Sequence, residues 1–188
     1  MNTTIYYFLI YIAEALICIQ YTSNIFSDRF SHFKTFIAIF ILYSTLFIIS
    51  LLQNPYINVI VFFIFHIFIF CCLFQTTKLN AVFHAPNLTI TMSFTELIAL
   101  TIYSNISTHF YTKIYIHHIT LVMAIISKLL YFIITFFISH TLLKNSNNTI
   151  PFSSRECFLL CIIPILSLLI SFTFIHLCLT TPLKNKLD

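Results

Sequence analysis

Four ionisable residues stand near the centres of four separate apolar segments: Glu14, His66, Glu96 and Lys128. Acids and a base in such places can pair with one another, or together hold a ligand. At the centre of a membrane helix each costs roughly 2.5–3.5 kcal/mol on insertion scales, so each is expected to face a bundle interior and find a partner. Their helical faces agree. Glu14 shares an i, i+3/i+4 stripe with Thr4, Tyr7, Tyr11, Cys18 and Tyr21. Glu96 lies with Thr89, Ser93, Tyr103 and Ser107, and Lys128 with Ala124, Tyr131, Thr135 and Ser139. Each stripe is suited to meet another helix rather than lipid. Lys128 is therefore expected to pair with Glu14, Glu96 or both, either setting helix register or forming part of a signalling or ligand site. His66 differs, because its face reads Phe62, Phe63, Phe70 and Leu73, and a buried packing role is expected for it.

Other chemistries find little support. His109, His117 and His118 gather in one stretch, but adjacent histidines diverge on a helix and no carboxylate or thiol stands near them. Cys157 and Cys161 share a face at i, i+4 without further ligands at a metal-binding spacing, so no metal and no cofactor are expected. A thiolate nucleophile needs a positioned histidine. His66 precedes Cys71 and Cys72 by offsets that do not share a helical face. The Asn-x-Ser/Thr triplets at Asn87 and Asn105 matter only in a eukaryotic secretory pathway. The chain has no Gly, which removes Gly-rich phosphate loops and dinucleotide fingerprints from consideration.

Composition names the solvent in which these residues must work. Hydrophobic residues make up 60% of the 188, charged residues only 7%, and mean hydropathy is +1.00. A soluble chain carries roughly 25% charged residues, so too few remain here for a water-facing surface. The net charge of +4 is scattered through short loops and does not suggest nucleic-acid binding. The six cysteines sit mostly inside apolar runs and read as packed residues rather than a disulfide framework. The first segment lacks a basic start and a small-residue cleavage site, and carries Glu14 at its middle, so it does not read as a signal peptide. Abundant Phe and Ile hint at a low-GC bacterium, hence a bacterial plasma membrane.

A span needs about 20 apolar residues, and a helix satisfies its own backbone in lipid. The expected fold is an all-α, polytopic membrane bundle, one transmembrane domain over residues 1–188. About six helices are expected, at 5–21, 35–52, 57–74, 88–104, 120–139 and 157–177. Asn54-Pro55 and Pro86-Asn87 are read as helix breaks. Longer polar links are expected at Asn105–Ile119 and Leu143–Glu156. Tyr6, Tyr21, Tyr56 and Tyr103 fall near helix ends, where interfacial anchors belong. Arg29, Lys34, Lys78, Lys144 and Arg155 lie in loops of one side, against Lys113, Lys184 and Lys186 on the other. The bias favours an external N-terminus. Six helices then place the last two lysines outside, which a missing seventh helix would resolve.

The order of short motifs resembles the N-terminal sensor region of GHKL-type histidine kinases, the group that includes the accessory gene regulator peptide-pheromone receptors. Its local matches are Glu14-Ala15-Leu16, Asn54-Pro55 before an apolar run, Thr95-Glu96-Leu97, Ser127-Lys128-Leu129, and Ile163-Pro164-Ile165-Leu166-Ser167 after a polar loop. The resemblance implies a membrane module that senses an extracellular signal such as a peptide and acts through a homodimer or a kinase partner. The phosphoacceptor and ATP-binding regions of that family are missing from these residues, so the expectation is a truncated or split sensor without catalysis. The alternative is a six-helix substrate-binding subunit of a transporter, against which the absence of Gly at helix contacts counts mildly.

Overall fold

The computed structural model describes residues 3–52, 54–107, 113–143 and 173. They form five α-helices: α1 (Thr3–Ile25), α2 (His32–Ser50), α3 (Pro55–Leu73), α4 (Lys78–Ser107) and α5 (Lys113–Phe137). α5 runs on into a wider π-helical turn, Ile138–Leu143. Among the described residues there is no β-strand. An isolated antiparallel bridge between Asp28 and Phe74 is the nearest thing to one. Each helix packs on the next in sequence, and α5 closes back onto α1. The result is a ring of helices around a shared interior.

The helix limits follow local chemistry. Pro55 opens α3 at a position where its missing N–H is not needed. The Asn54 side chain accepts hydrogen bonds from the backbone N–H groups of Tyr56 and Ile57. The expected break at Pro86-Asn87 is not a break: α4 runs through Pro86 without interruption and reaches from Lys78 to Ser107. Proline removes a backbone donor and crowds the preceding turn. Here the Asn87 side-chain amide donates to the Phe83 carbonyl at 3.0 Å, an added side-chain bond in the turn that holds the proline. Thr89, Thr91 and Ser93 add hydroxyl bonds to carbonyls four residues back. α5 also begins earlier than expected, at Lys113 rather than Thr120, inside the stretch read as a long polar link. The expected sixth helix, 157–177, lies outside the described residues apart from Thr173.

Four stretches are long and apolar enough to cross a membrane: Thr4–Ile25, His32–Ser50, Tyr56–Leu73 and Leu121–His140. Their outward faces are almost wholly aliphatic and aromatic. Ile57, Ile60, Ile64 and Phe68 line one side of α3, and Val122, Ile125, Leu129, Ile133 and Phe136 one side of α5. Side chains of this size, exposed at helical spacing on every wall, require lipid rather than water. The chain is a helical membrane protein. α4 is not among these four stretches, and its buried residues include the polar His84, Thr89, Ser93 and Thr95.

The α1–α2 and α3–α4 loops meet at one end of the ring. The Arg29 N–H donates to the Leu73 carbonyl and the Gln75 N–H to the Ser27 carbonyl, both at 2.9 Å. The Gln75 side chain donates to the Asp28 carbonyl, and His32 pairs with Asp28. Arg29, Lys34 and Lys78 are thereby gathered at that end. Directly opposed residues of such a pair stand about 5.5 Å apart at Cα, within disulfide range. With the native cysteines removed, Ser27→Cys with Gln75→Cys should oxidise to an intrachain disulfide, seen as a mobility shift reversed by reductant. Two thiols that stay unreacted would contradict the joining of the two loops.

Candidate functional site

The interior polar groups fall into three tiers along the ring. At the loop-bridged end, the Gln20 and Asn24 amides both donate to the Ser139 hydroxyl at 3.2 Å, tying α1 to the π-helical turn. Beside them the Tyr21 hydroxyl meets His84 Nδ1 at 2.9 Å, linking α1 to α4. In the middle tier His66 is fully buried, with Nε2 2.9 Å from the Tyr43 hydroxyl and Nδ1 2.9 Å from Thr89 Oγ1. One imidazole thus joins α2, α3 and α4. Both its ring nitrogens are engaged, so it is not available to Cys71 or Cys72 as a base.

The third tier holds the three charges. Lys128 Nζ lies 2.5 Å from Glu14 Oε1 and 2.5 Å from Glu96 Oε1, so one ammonium from α5 bridges carboxylates from α1 and α4. Both contacts join opposite charges, the kind of pair that gives charge-assisted hydrogen bonds. The stripes bring them there: Tyr11, Glu14, Cys18 and Tyr21 are buried together on α1, while Thr4 and Tyr7 near its start are exposed. Ser127, Lys128, Tyr131, Thr135 and Ser139 form the buried face of α5. Lys128 and Glu14 are enclosed, at 9% and 3% side-chain exposure, whereas Glu96 is 49% exposed. His66 belongs to the separate middle tier and does not touch the triad.

Above the triad lies a half-open cavity of about 720 Å³. All five helices contribute to it: Tyr7 and Tyr11 from α1, Ser50 from α2, Asn58 and Phe62 from α3, Met92 and Leu97 from α4, and Met123 and Ala124 from α5. Glu14, Glu96, Ser127 and Lys128 are part of its wall. Its place along the helices (the start of α1, the end of α2, the start of α3) puts it at the end away from the Asp28–Phe74 bridge. The volume falls within the range of about 300–1,000 Å³ typical of small-molecule sites, which are mostly apolar with a few convergent polar groups.

Three buried polar atoms near the triad have no hydrogen-bond partner among the described residues: Glu14 Oε2, Ser127 Oγ and Tyr131 Oη. A desolvated, unpaired polar group costs about 1–3 kcal/mol, and such groups are uncommon in native interiors. Among the described residues no cluster of three or more His, Cys, Asp or Glu is arranged to hold a metal. His109, Cys157 and Cys161 lie outside the described residues, as do the side chains of His117 and His118.

The charged triad was legible as a set of polar stripes. His84 and its bond to Tyr21 were not, because the residue lay in an expected loop before Pro86. The Tyr43 and Thr89 partners of His66 had no signature either, since its own helical face is apolar. No family model, curated protein or solved structure matches the chain.

Removing one member of a buried ion pair costs about 3–5 kcal/mol, because the other charge is left uncompensated. Lys128→Met should lower unfolding free energy in detergent or lipid by about that amount. Adding Glu14→Gln to it should recover part of the loss, while equal losses in the single and double variants would count against the pair. In the middle tier, a cycle of His66→Phe and Tyr43→Phe should show a coupling of about 0.6–1.7 kcal/mol, the range found for hydrogen bonds between membrane helices. Strict additivity would remove that bond.

Proposed function

We propose that this chain is the sensor module of a bacterial plasma-membrane receptor, resembling the transmembrane region of GHKL-type histidine kinases. In this reading six transmembrane helices surround the ligand site, which is the cavity above Glu14, Glu96 and Lys128. The observation that carries it is the cavity itself, a volume fit for a ligand, walled by every described helix and set over a charged triad. Its position supports an outward-facing mouth. The Arg29, Lys34 and Lys78 loops lie at the far end, and the positive-inside rule puts such loops in the cytoplasm.

A ligand such as an extracellular peptide enters between the outer ends of the helices and competes for the groups that bridge α1, α4 and α5. Differential contact of this kind is what lets a ligand shift a helix equilibrium. α4 and α5 carry that change inward, since their other ends hold His84 and the Ser139 turn. A partner, either a second copy or a kinase subunit, receives it there.

The orientation can be read directly. In a cysteine-free background, Asn58→Cys and Leu97→Cys should react with a membrane-impermeant thiol reagent added outside intact cells, while Gln75→Cys should react only after the inner face is exposed. Labelling of the cavity positions from the inner face alone would overturn an extracellular sensor.

A further inference from the structure

The triad is not balanced. Two carboxylates face one ammonium, and the two are not equivalent: Glu14 and Lys128 are enclosed, whereas Glu96 stands half-exposed in the cavity wall. Lys128 is shared at equal distance by both carboxylates, so the three groups together carry one surplus negative charge. Glu96 is the carboxylate that a solute in the cavity can reach. A surplus negative charge in an apolar, partly water-excluded site is costly unless a cation meets it. Ser127 adds a second feature, a hydroxyl 98% buried in the cavity wall without a partner among the described residues.

The rest of the wall describes what that cation must be attached to. Phe62, Met92, Leu97 and Met123 are apolar, and Tyr7 and Tyr11 add aromatic rings to the lining. About 720 Å³ is far more than a bare metal or alkali ion fills. Methionines adapt to irregular apolar shapes, and tyrosine faces attract organic cations. We infer that the cavity binds a ligand that presents an ammonium or guanidinium head to Glu96 and lays an apolar, aromatic-sized body against Phe62, Met92 and Met123. This rests on reading the cavity as the ligand site, and it narrows that site to cationic amphiphiles. The head takes the Glu96 carboxylate as its counter-ion, and the Lys128–Glu14 pair beneath stays closed as the floor. Anionic ligands of the same shape meet Glu96 as a like charge and are rejected.

The chain contains no Trp, so an indole probe can be followed by its own fluorescence. The test uses the full chain in lipid nanodiscs, with empty nanodiscs as the partition blank. Tryptamine, tryptophol and indole-3-acetate offer nearly the same body with a cationic, neutral and anionic head. Tryptamine should bind at least roughly tenfold more tightly than either of the others, a difference of about 1.4 kcal/mol. Glu96→Gln should abolish that preference, and Glu96→Asp should keep it. Circular dichroism and a thermal melt should show Glu96→Gln folded, because Lys128 keeps Glu14.

If tryptophol or indole-3-acetate binds as well as tryptamine, the cation inference is overturned while the cavity stands as a ligand site. The same holds if Glu96→Gln retains the preference for tryptamine. If none of the three probes binds above the blank, the cationic ligand class and the ligand-binding reading fall together. Should Glu96→Gln not fold, the charge series on the unaltered chain decides the matter alone.

Discussion

A lysine ammonium held between two glutamates is the contact on which the arrangement of this bundle turns. Lipid is as apolar as leucine, so there is no hydrophobic drive to bring helices together once they span. What drives rotation and register is the cost of leaving a charge in hydrocarbon, roughly 2.5–3.5 kcal/mol per residue by insertion scales. Bringing Lys128 to Glu14 and Glu96 gives each of the three an opposite charge as neighbour. It also settles which way each helix faces. With Lys128 turned inward, Ile125, Leu129, Ile133 and Phe136 are left on the exposed side of α5.

The absence of Gly shapes what lies around that contact. Membrane helices that pack closely use small residues to let backbones approach, and this chain has none of the smallest. The small residues on its buried faces are Ala15, Cys18, Ala81, Ala85 and several Ser and Thr. In the middle of the ring the space is filled by rings: Tyr43, Phe62, Tyr131 and His66 are all nearly or fully buried. Tyr43 and Phe62 meet edge to face at 6.0 Å. Above the triad, at the end away from the Asp28–Phe74 bridge, the described residues line the cavity.

The remaining polar tiers contribute more to uniqueness than to bulk stability. Interhelical hydrogen bonds in membranes average about 0.6 kcal/mol, so His66 with Tyr43 and Thr89, or Ser139 with Gln20 and Asn24, adds little energy. Each is nonetheless satisfied in one register alone, since a helix displaced by a residue turns its donor away by about 100°. Spread along the ring at three levels, they leave one arrangement of α1 to α5 that satisfies them all. The backbone bridge between the two loops does the same for the ends of α1 and α3.

How much of this was written in the chain can be seen residue by residue. Composition alone determined that lipid is the solvent, since 7% charged residues cannot cover a water-facing surface. Helical periodicity determined which face of α1, α4 and α5 is polar, and so which residues must seek one another. The end of α2 and the start of α3 were legible in Asn54-Pro55, because a capping asparagine and a first-turn proline act through local backbone chemistry. Pro86 was misleading for the opposite reason. Whether a proline ends a helix depends on what else can satisfy the neighbouring carbonyls and on what packs around it. Here it is a matter of what the Asn87 side chain bonds to and of the helices packed around it, not of the proline's presence. The choice of both glutamates by Lys128, the exposure of Glu96 against the enclosure of Glu14, and the partners of His66 and His84 were decided only by tertiary structure. Periodicity gives the direction of a side chain about its own axis. It does not say which helix stands opposite, or at what height, and the chemistry of this site depends on both.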